Sequence, residues 1–426
     1  MILLYNLLWP IGLLFFLPGF FLKMFRRGGY RKNFGQRLAL YRTEVRVRLN
    51  RQRPIWIHAV SVGEVMIALK LAGQLHIRRP DLHFALTTTT TTGYSLATQS
   101  APPWMTVLYT PLDFWPVMRR AFRTIAPRGI VLVEAEVWPN MLTEATRRNI
   151  PTGLINARLS VRSEQRFARF KFLFAPVFQK LSLLCMPDAE DQARWGDLGV
   201  LPERIRIVGN IKYDPDQSRP PTAEPRLFLD RLGVDAGRPV LFGGSTHVGE
   251  EEILADAFTA LRQEFPSLFL VIAPRHVERG GEIESRLRKR GLRIARRAGA
   301  KESSPDLLLI DTTGELADWY SIATVVFIGK SLIARGGQNP VEAIVMGKPV
   351  IIGPHMENFA ALVRQLTKNR AVLCAGDGPE LISHARSLLS DAALRERTSA
   401  AATKVIAYHC GATARTAELI LALSAS

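Results

Sequence analysis

The chain has 426 residues, 47% of them apolar and 22% charged. That is enough for two or three domains with a large core, and it excludes a disordered or collagen-like chain. Lys and Arg number 56 against 38 Asp and Glu, a formal charge of +18, which selects for a polyanionic partner, either nucleic acid or an anionic membrane surface.

Residues 1–22 carry no charge. At ~1.5 Å per residue, a helix of that length reaches roughly 33 Å and would cross a hydrocarbon core of ~30 Å. The expectation is an N-terminal membrane-anchor helix, with an interfacial helix (Pro10 and Pro18) or a buried core helix as alternatives. Residues 23–53 follow with eleven Lys/Arg and one acid, Glu44, so more than half of the surplus charge lies directly behind the apolar run. The basic block follows the apolar run, and no small-residue cleavage site is present, which is the reverse of a signal peptide. The positive-inside rule then puts the rest of the chain on the cytoplasmic side. Located this way, the charge favours an anionic membrane surface and no nucleic acid. The three cysteines, Cys185, Cys374 and Cys410, lack metal or disulfide spacing and fit a reduced compartment.

From residue 54 onward, short β-branched runs alternate with helical periodicity. Strands are expected at 54–60, 82–87, 129–134, 150–156 and 204–209, with a helix running from Glu64. A Pro-rich polar stretch, 214–225, interrupts this rhythm as a linker. A second series follows at 239–244, 268–274, 306–311, 324–329 and 349–353. The chain therefore reads as an α/β protein with two Rossmann-like domains, 54–213 and 226–426. Ligands of such sheets bind beyond the carboxyl ends of the strands, so a site is expected in a cleft that the two domains face.

Several motifs sit at those strand ends. His58-Ala59-Val60-Ser61-Val62-Gly63-Glu64 spans a strand-to-helix turn. It approximates a nucleophile elbow around Ser61, or presents Glu64 as a general base, or is a capping box with Ser61 as N-cap. Six threonines, Thr87–Thr92, precede Gly93 and suit a strand end and turn. Glu134 closes a strand ahead of Glu136, Trp138, Pro139 and Asn140, and Lys212 follows the last strand of the first domain as its candidate partner. Asp214-Pro215-Asp216 imitates a metal-binding pair, but the proline favours a turn. In the second half, Gly243–Thr246, Pro274-Arg275-His276 and Gly336–Glu342 are loops able to hold phosphate and ribose. Gly329-Lys330-Ser331 lacks the upstream glycine of a P-loop. Residues 158–180 interleave Arg with Phe and read either as a membrane-surface helix or as a core helix with a basic edge.

Taken together and in order, these motifs resemble the Kdo (3-deoxy-D-manno-octulosonic acid) transferases, glycosyltransferase family 30. The shared segments include His58–Glu64, Thr87–Gly93, Glu134–Asn140, Asn156–Ser160 and Lys212-x-Asp214, then Ser245–Glu251, Pro274–Arg279, Gly314–Leu316, Arg335–Glu342 and Gly353–His355. The resemblance implies a GT-B fold with the donor nucleotide in the C-terminal domain and neither metal nor cofactor. It implies transfer of Kdo from CMP-Kdo to a lipid A precursor of the lipid IVA type, in lipopolysaccharide inner-core synthesis at the inner membrane. By motif position, Glu64 is the implied base, and Glu134 and Lys212 the transition-state stabilisers. CMP contacts are implied at Pro274, Arg275, Thr313, Gly314, Glu315, Asn339, Pro340, Val341 and Glu342. The chain departs from the pattern at Gln338 and Lys330. Another membrane-associated GT-B glycosyltransferase, or an anchored serine hydrolase using Ser61, is the alternative; no oligomeric state follows.

Overall fold

The structure is a computed structural model. It describes all residues except 1, 10–11, 13–32, 136, 160–164, 166, 168, 216–221, 300–303 and 426. The chain divides into two compact units, Met1–Asp214 with Gly411–Ser426, and Pro215–Cys410.

Unit 1 is a seven-stranded parallel sheet of β1 (Ile55–His58), β2 (Phe84–Thr88), β3 (Met105–Tyr109), β4 (Gly129–Val133), β5 (Thr152–Ile155), β6 (Leu183–Met186) and β7 (Ile205–Ile207). Its strand order is β3-β2-β1-β4-β5-β6-β7. The chain builds outward from β1 to β3, then returns beside β1, so the topological switch point lies between β1 and β4. The central strands are buried on both faces. Trp56, Leu132 and Leu154 pack into one core layer with Phe122, Phe178 and Trp195, whereas Ile57, Val131, Val133 and Ile155 pack into the other with Leu71 and Leu75.

Unit 2 repeats the plan with β8 (Val240–Thr246), β9 (Phe269–Pro274), β10 (Ile294–Arg296), β11 (Leu307–Leu309), β12 (Val325–Ile328), β13 (Val350–Ile352) and β14 (Leu373–Cys374). The order is β10-β11-β9-β8-β12-β13-β14, with the switch point between β8 and β12.

Two expectations are corrected. The second domain does not run to residue 426. The last helix, Ala412–Ala425, buries Ala412, Ala417 and Ile420 in the core of unit 1. Gly153 on β5 permits this, since a Cβ there would stand 2.9 Å from Ile420 Cδ1. Asp214 fixes the helix start, accepting from the N–H groups of Gly411 and Thr413, each at 2.8 Å.

The expected inner-membrane anchor is also overturned. Among the described residues no helix is long and apolar enough to cross a membrane. Residues 2–9 form a helical segment docked on unit 1 through Tyr5, Asn6 and Trp9. Most of the remaining apolar run, 13–22, and the start of the basic segment lie outside the described residues. The rest of that basic segment belongs to unit 1, as a 3-10 turn at Phe34–Leu38 and a helix at Thr43–Gln52. That helix lines a groove of about 830 Å³ with Arg46 and Arg51, and the helix Trp115–Ile125 adds Arg120 and Arg123; none of the predicted site residues lines it.

Candidate active site

Four charged side chains of unit 1 meet electrostatically beyond the carboxyl ends of β1, β4, β5 and β7. Glu64 is the third residue of the helix Val62–Arg78 and is buried at 7% exposure. Ser61 caps that helix by accepting from Glu64 N at 3.3 Å. In return the Glu64 carboxylate accepts from Ser61 N at 3.2 Å and Val60 N at 2.8 Å. The capping box is thus real, and it also fixes the carboxylate in place at the switch point.

Glu134 directly follows β4 and adopts a left-handed backbone, φ 62°. The ladder pairs Val133 with Ile155, so Glu134 and Asn156 emerge side by side. Asn156 is left-handed as well, φ 51°. Burial raises the pKa of the Glu134 carboxyl, the charge of Glu64 adds to the effect, and Arg158 and Lys212 oppose it. Lys212 is shifted in the other direction. Burial lowers its pKa, against Glu134 and with the help of Arg158. Its turn is held at several points. Ile211 N donates to Asn156 Oδ1 at 3.1 Å, Lys212 N to Asn210 Oδ1 at 2.9 Å, and Lys70 Nζ to the carbonyls of Ile211 and Asp214.

The threonine run packs beside β1 and its turn, with Thr88 and Thr90 Oγ1 donating to the Val60 carbonyl. Thr87 Oγ1 accepts from Trp56 Nε1 at 2.9 Å and pairs with His58 Nδ1 at 3.0 Å. Burial lowers the pKa of His58 to about 4, so the ring is neutral. Thr90 caps the next helix by accepting from Gly93 N. These contacts answer two of the sequence readings. Ser61 Oγ serves the cap, and His58 bonds Thr87, so no serine–histidine pair forms. Asp214 takes backbone N–H groups as a carboxylate cap; its partner Asp216 lies outside the described residues. In the Arg/Phe segment, Phe167 and Phe178 are buried against Trp195 and Phe174, while Phe172 is exposed.

In unit 2 the loops after β9 and β12 bring basic side chains to His247, on the loop after β8. Lys330, His276, Arg279 and Arg275 all act on His247, whose pKa burial and these charges lower. Arg275 is exposed and has no ion pair among the described residues. Pro274 is the buried end of β9, and Thr313 and Gly314 form an exposed turn after β11. Glu315 is held by Thr312, by Trp319 Nε1 at 3.0 Å and by Arg297 at 3.1 Å. Against burial, these bonds keep its pKa below the usual range. Asn339 Oδ1 accepts from Val341 N at 3.1 Å, and Pro340 and Val341 are buried. Burial raises the pKa of Glu342, opposed by Asn339 and Arg275.

The Gly329-Lys330-Ser331 turn holds a protein carboxylate. Glu250, fully buried, accepts from the N–H groups of Lys330, Ser331 and Leu332 at 2.7, 3.0 and 3.1 Å, and from His247 N at 2.9 Å. Gln338 Nε2 faces His247 Nε2 at 3.3 Å. With His247 neutral, the amide donates to the ring.

Residues 32–215 match the family model of 3-Deoxy-D-manno-octulosonic-acid transferase (kdotransferase). The 3-deoxy-D-manno-octulosonic acid transferase of Haemophilus influenzae is 33% identical, with 86% of each chain covered. The chain belongs to the Kdo transferase family. The Bordetella pertussis Kdo transferase is 34% identical, again with 86% of each chain covered. The chain is therefore a glycosyltransferase. A glycosyltransferase from Rickettsia africae shares the fold at a TM-score of 0.53, with 10% identity, 86% of this chain and 97% of that one covered.

Three further residues gain a place in the site from the structure. Arg158 enters the charge cluster, Asn156 sets the Lys212 turn, and Glu250 organises the loop after β12. Their segments, Asn156–Ser160 and Ser245–Glu251, carry the family resemblance in sequence, but no individual role was read for these three residues there.

Proposed function

We propose that this Kdo transferase moves Kdo from CMP-Kdo to a hydroxyl of a lipid A precursor with inversion, and that Glu64 is the base. The observation that carries this reading is the gathering of Glu64, Arg158 and Lys212 around Glu134 at the strand ends of unit 1. A base must be fixed and flanked by charge that responds to the transition state. Glu64 is fixed by two backbone N–H groups and retains lone pairs for an acceptor hydroxyl.

In the proposed step, the acceptor O–H gives its proton to Glu64 while its oxygen attacks the anomeric carbon. The bond from that carbon to the phosphate oxygen breaks, and CMP leaves as a phosphomonoester. Lys212 and Arg158 face negative charge in unit 1, and Glu134 tempers them. In unit 2, the cations around His247 receive the leaving phosphate. The Glu342 carboxyl accepts from the nucleotide's ribose, and Pro274, Arg275, Thr313, Gly314, Glu315, Asn339, Pro340 and Val341 frame the nucleotide.

The test is transfer of radiolabelled Kdo from CMP-Kdo to a tetra-acylated lipid A precursor. Glu64→Ala is expected to lower kcat by about 10²–10⁴ and to leave CMP binding unchanged. Wild-type turnover in that variant would refute the role. Covalent labelling of Ser61 by a fluorophosphonate would favour the hydrolase.

A further inference from the structure

The uncharged run 1–22 contains only three side chains able to make a polar or π contact beyond the phenylalanines: Tyr5, Asn6 and Trp9. Trp9 follows Tyr5 by four residues and Asn6 by three, which brings each of them to the Trp9 side of the helical segment 2–9. All three engage the same corner of unit 1. Tyr5 Oη donates to Asp113 Oδ2 at 3.1 Å. Asn6 Nδ2 donates to Asn140 Oδ1 at 2.8 Å, and Asn6 Oδ1 accepts from Asn140 Nδ2 at 3.0 Å and from Trp115 N at 3.1 Å. Trp9 stacks on Phe114, centroids 5.1 Å apart.

That corner adjoins the candidate active site. Asp113 is buried and caps the helix Pro139–Arg147, accepting from Asn140 N at 3.0 Å and Met141 N at 2.9 Å. Asn140 Nδ2 also donates to the Asp113 carbonyl at 2.6 Å. Glu134 directly follows β4, and Trp138 directly precedes the helix that the Asp113–Asn140 cap starts. Trp138 also meets His58 edge-on at 5.6 Å.

The geometry points to Tyr5 and Asn6 as positioning residues for the reaction: through Asp113 and Asn140 they set the loop that presents Glu134. The inference rests on the role given to Glu134 above. A two-point amide pair is directional in a way that apolar packing is not, so it fixes one arrangement of the cap and of the loop behind it.

The experiment is steady-state Kdo transfer by the full chain for Asn6→Ala, Asn140→Ala and the double variant, with Tyr5→Phe alongside. Asn6→Ala is expected to lower kcat about tenfold with KM for CMP-Kdo within twofold of wild type, and Tyr5→Phe to lower it two- to threefold. If Asn6 acts through Asn140, adding Asn6→Ala to Asn140→Ala changes kcat by less than twofold. Multiplying effects would overturn the inference, as would wild-type kcat in both Asn6→Ala and Tyr5→Phe, a readout that survives even if Asn140→Ala does not fold. The cycle is independent of what Glu134 does: failure of the Glu134 role would show in Glu134→Gln, not in additivity between residues 6 and 140.

Discussion

The two units share one architecture, yet one set of carboxylates in each is used in the opposite way. Around the unit 2 loops, Glu250, Glu251 and Glu315 build. Glu250 holds four backbone N–H groups, Glu251 is paired with Arg279 at 3.0 Å, and Glu315 has three side-chain partners. In unit 1, Glu134 makes no side-chain hydrogen bond or ion pair among the described residues, yet it is partly buried and its pKa is raised. Glu64 lies between these extremes, engaged in a cap and turned toward the same charge cluster. A buried acid without partners costs stability, so its retention points to chemistry, whereas a fully bonded one points to scaffold.

The comparison is broken most sharply by substitutions. Glu64→Ala carries the largest expected effect, the loss in kcat of about 10²–10⁴ given above. Its cost in stability should be only about 1 kcal/mol, that of half a cap. A calorimetric melt together with the transfer assay separates the two effects.

Gly329→Ala should do the reverse in unit 2. A Cβ there would fall on the Ser245 carbonyl and on Thr246 Cα, so the backbone of the loop after β8 must shift. A loss of about 1–3 kcal/mol or more in denaturant unfolding is expected, with weaker CMP binding.

A smaller effect concerns pH. The folded pKa of His58 is about 4, below its ordinary 6.5. The unfolded chain therefore binds a proton first, and stability falls as pH drops from about 6.5 toward 4, by roughly 3 kcal/mol at full effect. Asp113, whose pKa burial raises to about 6, acts oppositely and gains stability as pH falls through 6 toward 4. His58→Gln should remove the His58 contribution, and the difference between its pH–stability curve and that of the wild type isolates that contribution. Parallel curves would contradict the neutral buried ring.

Much of this organisation was legible in sequence because the central parallel strands are buried on both faces and read as unbroken β-branched runs. Ten strands stand out, among them β7, an edge strand that alternates apolar and basic residues, and β11, a leucine run flanked by Asp306 and Asp311. Of the four that do not, β3, β10 and β14 are sheet edges, and β6 is a Leu-Leu-Cys-Met run without a β-branched residue. The return of the last helix to unit 1 depends on a long-range fit between Ile420 and Gly153 that no local pattern announces. The N-terminal run misleads for a related reason. Length and hydropathy describe a span, but the hydrogen bonds of Tyr5 and Asn6 and the stacking of Trp9 decide where its first turns go.

The most direct test of the contrast is a paired measurement on Glu134→Gln and Glu250→Gln, taking the single-turnover rate of Kdo transfer and the melting temperature of each. Glu134→Gln should lose rate by at least tenfold and melt like the wild type or higher. Glu250→Gln should melt several degrees lower and lose donor affinity. A Glu134→Gln variant that keeps its rate, or whose rate falls only in step with its melting temperature, would contradict the account.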